Sequence, residues 1–466
     1  MALGEECAVF SAYSELTGVN VSPIIFTGLL ALQHRGQESA GISVLKDGTL
    51  LTFKGLGLVL EVFNHGVLDR LKSHIGIGHV RYSAYGSPAL ANSQPIEFNS
   101  KHRFSLCFNG TIVNYDELRG ELENEGYRFR TTSDSEVIGY LISEGIEQGL
   151  DLVEAVEYAM KRLKGAYSAL LLGEGGLMLS FRDPYGFRPL CMGYISRLKT
   201  YIFSSETVGL DAVDASYVED VQPGSISVVD REGLRRVSVL RGRHAHCMFE
   251  WVYFARQDSV IEGVEVFKVR WRLGELLAEL NPVDADYVVP VPETSRVAAL
   301  GYSARSGIPV MEGFGVNRYA LRTFIMPENR GYFVRLKLNP LKSAIEGKRI
   351  VLIDDSIVRG TTSKAIVSML KKAGVKEVHL KITCPPLIAP CYMGVDFPTF
   401  DELIACNRSV EEIRRLIKAD SLTYMTIDGL VEAIGLPKDE LCLACLTGTY
   451  PEGIKPRFRR REVIKR

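Results

Sequence analysis

From residue 7 to about residue 235 the apolar positions come in short runs: Gly41-Ile-Ser-Val-Leu45, Ile75-Gly-Ile-Gly-His79, Phe104-Ser-Leu-Cys-Phe108, Ala166-Tyr-Ser-Ala-Leu-Leu-Leu172 and Ser225-Ile-Ser-Val-Val229. Gly, Asn and Asp punctuate them, which predicts strands joined by turns. One helix stands out. Ser135 to Glu147 sets Val137, Ile138, Leu141, Ile142 and Ile146 on one face, with Asp134 in front as a natural N-cap. Strands in runs beside helices in runs predict an α+β layered domain. From about residue 285 strands alternate with helices. Tyr287-Val-Val-Pro-Val291 leads to Pro292-Glu-Thr-Ser295. Arg349-Ile-Val-Leu-Ile353 leads to a helix over Thr362–Ala373 with Gly374 as its cap, and Val378–Thr383 follows as the next strand. That alternation predicts an α/β domain with a parallel, helix-covered sheet. The boundary falls near residues 235–250.

Composition narrows the class. The 466 residues are 46% apolar and suit two large domains with real cores, so wholesale disorder is excluded. Lys plus Arg is 55 and Asp plus Glu 56, a net charge of −1, which gives no electrostatic case for a nucleic-acid partner. The one basic run, Lys455–Arg466, reads as a solvated end. No run approaches a bilayer span, and the start lacks a secretory pattern, so a cytoplasmic chain without a membrane partner is expected. The 9 cysteines are too few for a disulfide scaffold. In a reducing cytosol they are core residues, nucleophiles or metal ligands.

The run Val351-Leu-Ile-Asp-Asp-Ser-Ile-Val-Arg-Gly-Thr-Thr-Ser363 is the most informative in the chain. An apolar strand ends in two carboxylates, Asp354 and Asp355. A loop through Arg359 and Gly360 then delivers Thr361, Thr362 and Ser363 to a helix start, where free N–H groups favour an anion. Carboxylates beside a phosphate site repel it unless they serve sugar hydroxyls or a bridging Mg²⁺. The combination reads as a site for a phosphorylated ribose. The motif resembles that of the type I phosphoribosyltransferases, which bind phosphoribosyl pyrophosphate (PRPP). The resemblance implies that Asp354 and Asp355 hold the ribose hydroxyls and the Mg²⁺ shell. Residues Arg359, Gly360, Thr361, Thr362 and Ser363 would cradle the 5′-phosphate. Pro292–Ser295 resembles the pyrophosphate loop, with Thr294 near the metal, and Asn317–Ile325 the start of a lid whose later part holds Arg335 and Lys337.

A second set lies near the start. Removing residues 1–6 would make Cys7 a terminal residue, supplying both a thiol and an α-amine base of pKa about 7.7–8. An early cysteine alone is more often a packed residue. Three segments add to it. Arg81 in His79-Val-Arg-Tyr82 suits a carboxylate. Asn109 and Gly110 in Phe108-Asn-Gly-Thr111 offer an oxyanion hole, although Asn-Gly is usually a hairpin turn. Asp134 in Thr132-Ser-Asp-Ser-Glu136 suits a helix cap or an ammonium group. Leu32-Gln-His-Arg-Gly-Gln-Glu-Ser-Ala-Gly41 sets polar residues between apolar flanks. Together these resemble the N-terminal-nucleophile (Ntn) glutamine amidotransferases over roughly residues 7–235. The resemblance implies attack by Cys7 on the glutamine amide, an oxyanion hole at Asn109 and Gly110, and Arg81 and Asp134 on the substrate's α-carboxylate and α-ammonium. Position 84 is Ala where such relatives often carry Thr.

Cys442-Leu-Ala-Cys445 is a Cys-x-x-Cys pair needing two more ligands to close a four-thiolate site. Cys247, Cys391, Cys384 and Cys406 are all candidates by spacing, which does not separate iron–sulfur from zinc. Joined in this order, the two domains resemble the amidophosphoribosyltransferase family, nearly end to end, from Glu5-Glu-Cys7 to Thr447-Gly-Thr-Tyr-Pro451. Its iron–sulfur subgroup implies a 4Fe–4S cluster on Cys247, Cys391, Cys442 and Cys445. Cys107, Cys191, Cys384 and Cys406 are then small apolar residues. The expected architecture is a propeptide over 1–6, an Ntn αββα domain over 7–235, and a type I phosphoribosyltransferase domain with a cluster-binding segment over 236–466. The expected reaction is release of ammonia from glutamine and its displacement of pyrophosphate from PRPP, giving 5-phosphoribosylamine for purine synthesis. The resemblance further implies a homotetramer inhibited by purine nucleotides. Two rivals are another Ntn amidotransferase and a non-catalytic PRPP-binding regulator.

Overall fold

The computed structural model describes residues 7–82, 89–317, 334, 336–451 and 454. Residues 1–6, Ala84, most of the expected lid segment including Arg335, and the basic run lie outside the described residues.

Two antiparallel sheets form the first half. One orders its strands β11 (Ser216–Asp220), β9 (Cys191–Ile195), β10 (Thr200–Ser204), β1 (Ala8–Ser14), β4 (Ile75–Arg81), β2 (Ser39–Lys46) and β3 (Thr49–Leu56). The other orders β13 (Gly233–Ser238), β12 (Ser225–Asp230), β8 (Met178–Arg182), β7 (Gly165–Gly173), β6 (Arg103–Ile112) and β5 (Ile96–Asn99). Strand side chains alternate between faces, and here both faces are covered. On β1, Val9 and Tyr13 join Ile75, Ile77, Cys107, Leu170 and Leu172 between the sheets. Ala8, Phe10 and Ala12 face outward into a second core with Ile25, Leu29, Val208 and Leu210. All of β1 is therefore buried, Ser11 and Ser14 included. On the far side of the second sheet, Val137, Ile138, Leu141 and Ile142 of the helix Ser135–Glu147 meet Val156 of the helix Leu152–Arg162 and Phe104 of β6. The layers run helix, sheet, sheet, helix, as expected, and end with β13 just past residue 235.

The helix Ser135–Glu147 has its expected bounds, but Asp134 does not cap it through its side chain. Its Oδ2 accepts from Ile112 N at 2.9 Å instead, tying the helix start to β6. Asn109-Gly110 is not a hairpin turn. It lies within β6, with Asn109 opposite Ser168 and Gly110 opposite Tyr167 on β7.

The second half holds a parallel sheet of Tyr287–Pro290, Arg349–Asp354, Glu377–Ile382 and Ser421–Tyr424 in that order, with Val310 bridging Val288. The helix expected over Thr362–Ala373 spans Thr361–Lys372, and Gly374 follows at φ +90°. The halves are not beads on a string. One apolar core runs from Ala166 and Phe187 of the first half through Phe249 and Trp251 to Ile353 and Phe397 of the second. A short parallel ladder, His246–Cys247 against Leu441–Cys442, stitches the chain's end to the junction. Among the described residues no helix is long and apolar enough to cross a membrane.

Candidate functional site

Cys7 stands immediately before β1, and Ala8 pairs with Val80 of β4, so the thiol sits beside the end of β4. Its Sγ donates to Tyr82 O at 3.4 Å. Burial pushes the thiol up to about 11; the Tyr82 bond and Arg81 pull it down, while Glu38 and Asp134 add to the rise. The sulfur thus shares one electrostatic locale with Arg81, Asp134 and Glu38. Arg81 Nη1 is ion-paired with Glu38, both side chains almost fully buried. Asp134 is held by Ile112 N and by its loop, where Asn92 and Thr132 bond reciprocally at 2.9 and 3.0 Å.

The strand β6 carries the candidate oxyanion donors. Asn109 is buried, and among the described residues its Nδ2 has no hydrogen-bond partner. An amide N–H₂ left unpaired in a protein interior is costly, so it points to a bound acceptor. Gly110 has φ +153°, and a Cβ there would lie 1.9 Å from Ala166 O. Only glycine permits that backbone beside β7. Phe108, just before, is fixed from both sides: its N donates to Gln94 Oε1 at 2.8 Å, and its carbonyl lies 3.1 Å from His79 Nε2. Burial pulls His79 down to about 3, so its imidazole is neutral at physiological pH and cannot serve there as an acid.

In the second half Asp354 ends its strand and Asp355 follows. Asp355 Oδ2 accepts from Thr294 Oγ1 at 2.7 Å and its Oδ1 from Ser356 Oγ at 2.6 Å. Burial, then the charge of Asp355, holds the Asp354 carboxyl well above the ordinary range. Two carboxyls so placed favour a shared cation. Gly360, at φ +74°, is the N-cap of the helix Thr361–Lys372, and Thr362 and Ser363 are buried at its start. The Arg359 guanidinium is engaged by Glu402 at 2.8 Å, so residue 359 adds main chain to the anion loop. Ser295 sits at the N-cap position of the helix Arg296–Ser306 next to Thr294, and its buried Oγ has no partner among the described residues. Asn317 N donates to Lys337 O at 2.9 Å, extending the antiparallel pair of Phe314–Val316 and Leu338–Pro340 that flanks the expected lid segment.

The four expected cluster cysteines are buried and free of disulfides. Cys247 lies opposite Cys442 in the junction ladder. The Cys445 carbonyl accepts from Ile388 N and Ala389 N at 2.9 and 3.1 Å, drawing in the segment of Cys391. Burial raises the Cys445 thiol strongly, with Cys391, Cys384, Cys442 and Cys247 adding to the rise. Cys384 is therefore a fifth thiol in this neighbourhood rather than an isolated filler, and its N donates to Asp355 O at 2.8 Å. Cys107 and Cys191 belong to the apolar cores of the first half, as expected. As they stand, no three His, Cys, Asp or Glu side chains among the described residues converge closely enough to hold a metal ion.

A family model for a glutamine amidotransferase domain matches residues 79–212. The amidophosphoribosyltransferase of Methanothermobacter thermautotrophicus is 48% identical over 452 residues, covering 96% of this chain and 94% of that protein. The Bacillus subtilis enzyme of the same name is 44% identical over 464 residues, covering 97% and 95%. The solved structure of the B. subtilis glutamine PRPP amidotransferase complexed with ADP and GMP matches with a TM-score of 0.89 at 41% identity, over 97% of this chain and 98% of that one. A structure described as the allosteric regulatory enzyme of purine biosynthesis matches with a TM-score of 0.90 at 41% identity, over 97% of each chain.

Proposed function

The chain belongs to the amidophosphoribosyltransferase family, and on that footing we propose how its two halves divide the work. The antiparallel half hydrolyses glutamine to glutamate and ammonia. The parallel half uses that ammonia to displace pyrophosphate from C1 of PRPP, giving 5-phosphoribosylamine at the first committed step of purine synthesis.

Cys7 is the nucleophile. With residues 1–6 attached, its thiol at about 11 is almost wholly protonated at neutral pH. Removing them exposes an α-amine of pKa about 7.7–8 that takes the thiol proton. The thiolate adds to the glutamine carboxamide, and the negative oxygen that forms meets Asn109 Nδ2 and Gly110 N–H. The Cys7 α-ammonium formed in the first step gives its proton to the departing nitrogen, so collapse expels ammonia and leaves a γ-glutamyl thioester, which water opens to glutamate. Arg81 and Asp134 receive the substrate's α-carboxylate and α-ammonium. The observation that carries this reading is the buried Asn109 Nδ2, without a partner among the described residues, on the same strand end as Gly110.

In the other half the helix start at Gly360–Ser363 receives the 5′-phosphate through main-chain N–H groups and hydroxyls. Asp354 and Asp355 orient the ribose hydroxyls. With Thr294 they would hold Mg²⁺, which when bound supplies positive charge to the departing pyrophosphate. The junction core excludes water from the ammonia path, since ammonia in bulk water protonates. The donor set of Cys247, Cys391, Cys442 and Cys445 fits a thiolate-held 4Fe–4S cluster, which would fasten the C-terminal segment to the junction. The same membership supports a cytoplasmic homotetramer inhibited by purine nucleotides, the class of ligand named for the B. subtilis structure.

The test is Cys7→Ser with two nitrogen sources, combined with the mass of the mature N-terminus. Glutamine-dependent synthesis is abolished and ammonia-dependent synthesis remains. Loss of both, or full activity in a chain still carrying Met1–Glu6, overturns the assignment.

A further inference from the structure

Three arginines and two glutamates are buried where the halves meet, and none of them has a part in the chemistry above. Arg35 lies in the turn between the helix Ser22–Ala31 and β2, its side chain fully buried. Its Nε donates to the carbonyl of Cys7 at 3.2 Å. Its other nitrogens are gripped by two carboxylates. Glu250 takes Nη1 and Nη2 in a fork at 2.9 Å each, and Glu206 takes Nη1 at 2.7 Å.

Both carboxylates report on the junction. Glu250 opens the helical turn Glu250–Phe254 that follows Cys247. Glu206, from the first half, accepts from Arg256 N at 3.0 Å and Ser259 Oγ at 2.5 Å, both in the junction. On one side, Glu250 also lies 3.5 Å from Arg188, whose Nη2 donates to Met393 O in the segment carrying Cys391. On the other, Arg270 donates to Trp251 O at 2.9 Å and Ala255 O at 2.8 Å, spanning the same turn, and its charge feels both Asp355 and Glu206.

We propose that Arg35 is a positioning residue for Cys7, and that Glu250 and Glu206 place it according to the state of the junction. A seam that only had to hold would be as well served by apolar side chains, because burying charges is costly. A guanidinium–carboxylate fork instead fixes a position and a plane. The nucleophile's own backbone is therefore held from the second half. A displacement of the turn 250–254 moves the Glu250 carboxylate, the Arg35 guanidinium and the Cys7 carbonyl in sequence.

The proposal rests on Cys7 as nucleophile, and the experiment separates the two. In the mature enzyme, Glu250→Gln loses the charge on one arm of the fork. Arg35→Lys keeps the positive charge but removes the Nε donor, and serves where the first variant folds poorly. For each, glutamate release from glutamine and ammonia-dependent pyrophosphate release are measured with the melting temperature. The expected result is a fall of about tenfold or more in kcat for glutamine hydrolysis, with KM for glutamine and the ammonia-dependent rate within about twofold. Two results overturn the proposal: glutamine hydrolysis within about twofold of the parent in Arg35→Lys, or both activities falling together with the melting temperature. A Cys7→Ala arm run alongside must lose glutamine hydrolysis. If it does not, the nucleophile assignment falls. If it does and the two variants match the parent, only the positioning role falls.

Discussion

The Thr294 hydroxyl donates to Asp355 Oδ2 over 2.7 Å, joining two loops 61 residues apart in the chain. With Ser356 on the other oxygen, the carboxylate is held at both ends before any ligand arrives. Groups that orient a metal-binding carboxylate typically matter by ~10–100-fold when removed. Thr294→Val keeps the shape and deletes the donor. The expected outcome is a roughly tenfold rise in the Mg²⁺ concentration needed for half-maximal ammonia-dependent synthesis. Glutamate release from glutamine stays unchanged. A Mg²⁺ titration of pyrophosphate release reads it directly.

Asn109 supplies the side-chain donor of the proposed oxyanion hole, and removing one such donor costs roughly 10²–10³ in kcat. Asn109→Ala is expected to lose that much in glutamine hydrolysis while KM changes little. An equal rise in KM at constant kcat would mean the amide binds ground-state glutamine instead. Steady-state glutaminase kinetics separate the two.

Burial sets the reactivity of Cys7 before processing. Only the thiolate is alkylated, and a thiol raised to about 11 is protonated below that pH. In a chain that keeps residues 1–6, alkylation of Cys7 by iodoacetamide should climb about tenfold per pH unit from pH ~7 to ~10. Mapping the adduct by peptide mass gives the profile. A plateau near neutrality would show that the buried thiol is already ionised.

Glu206 contributes a stability with a definite pH window. Burial alone would raise its carboxyl, but His34 and Arg35 outweigh burial and hold it below the ordinary range. A depressed folded-state value means the contribution is present above the unfolded carboxyl pKa of about 4.3 and is lost as pH falls through the folded value. Glu206→Gln should therefore melt below the parent at pH ~7, and the gap should narrow once the pH drops under ~4. Thermal melts across that range test it. A gap that stays constant in acid would assign the loss to packing.

Local rules carried the reading of the chain a long way. The helix Ser135–Glu147 was legible because five apolar residues repeat at the helical period, and a strand ending in Asp354-Asp355 was legible because an apolar run stops at two charges. What local rules miss is the destination of a side chain. Asp134 has the sequence of a cap, yet a main-chain N–H on β6 competes for it and wins. Asn109-Gly110 has the sequence of a turn, yet pairing with β7 on one side and burial on the other keep it in a strand. Arg359 looked free to meet a phosphate, but Glu402 lies within reach. Glu38 and Arg35 both stand in the segment Leu32–Gly41, where the sequence shows only polar residues between apolar flanks. Their roles were illegible because their partners, Arg81, Glu206 and Glu250, arrive from elsewhere in the fold.

The two-residue ladder of His246–Cys247 against Leu441–Cys442 has a bearing on how the molecule comes into being. A chain is made from its N-terminus, so the antiparallel half is complete while the partner of residue 247 has not yet been synthesised. That ladder therefore forms only after residue 442 has cleared the ribosome, and a truncated product lacking that last segment would keep the apolar junction but not the stitch across it.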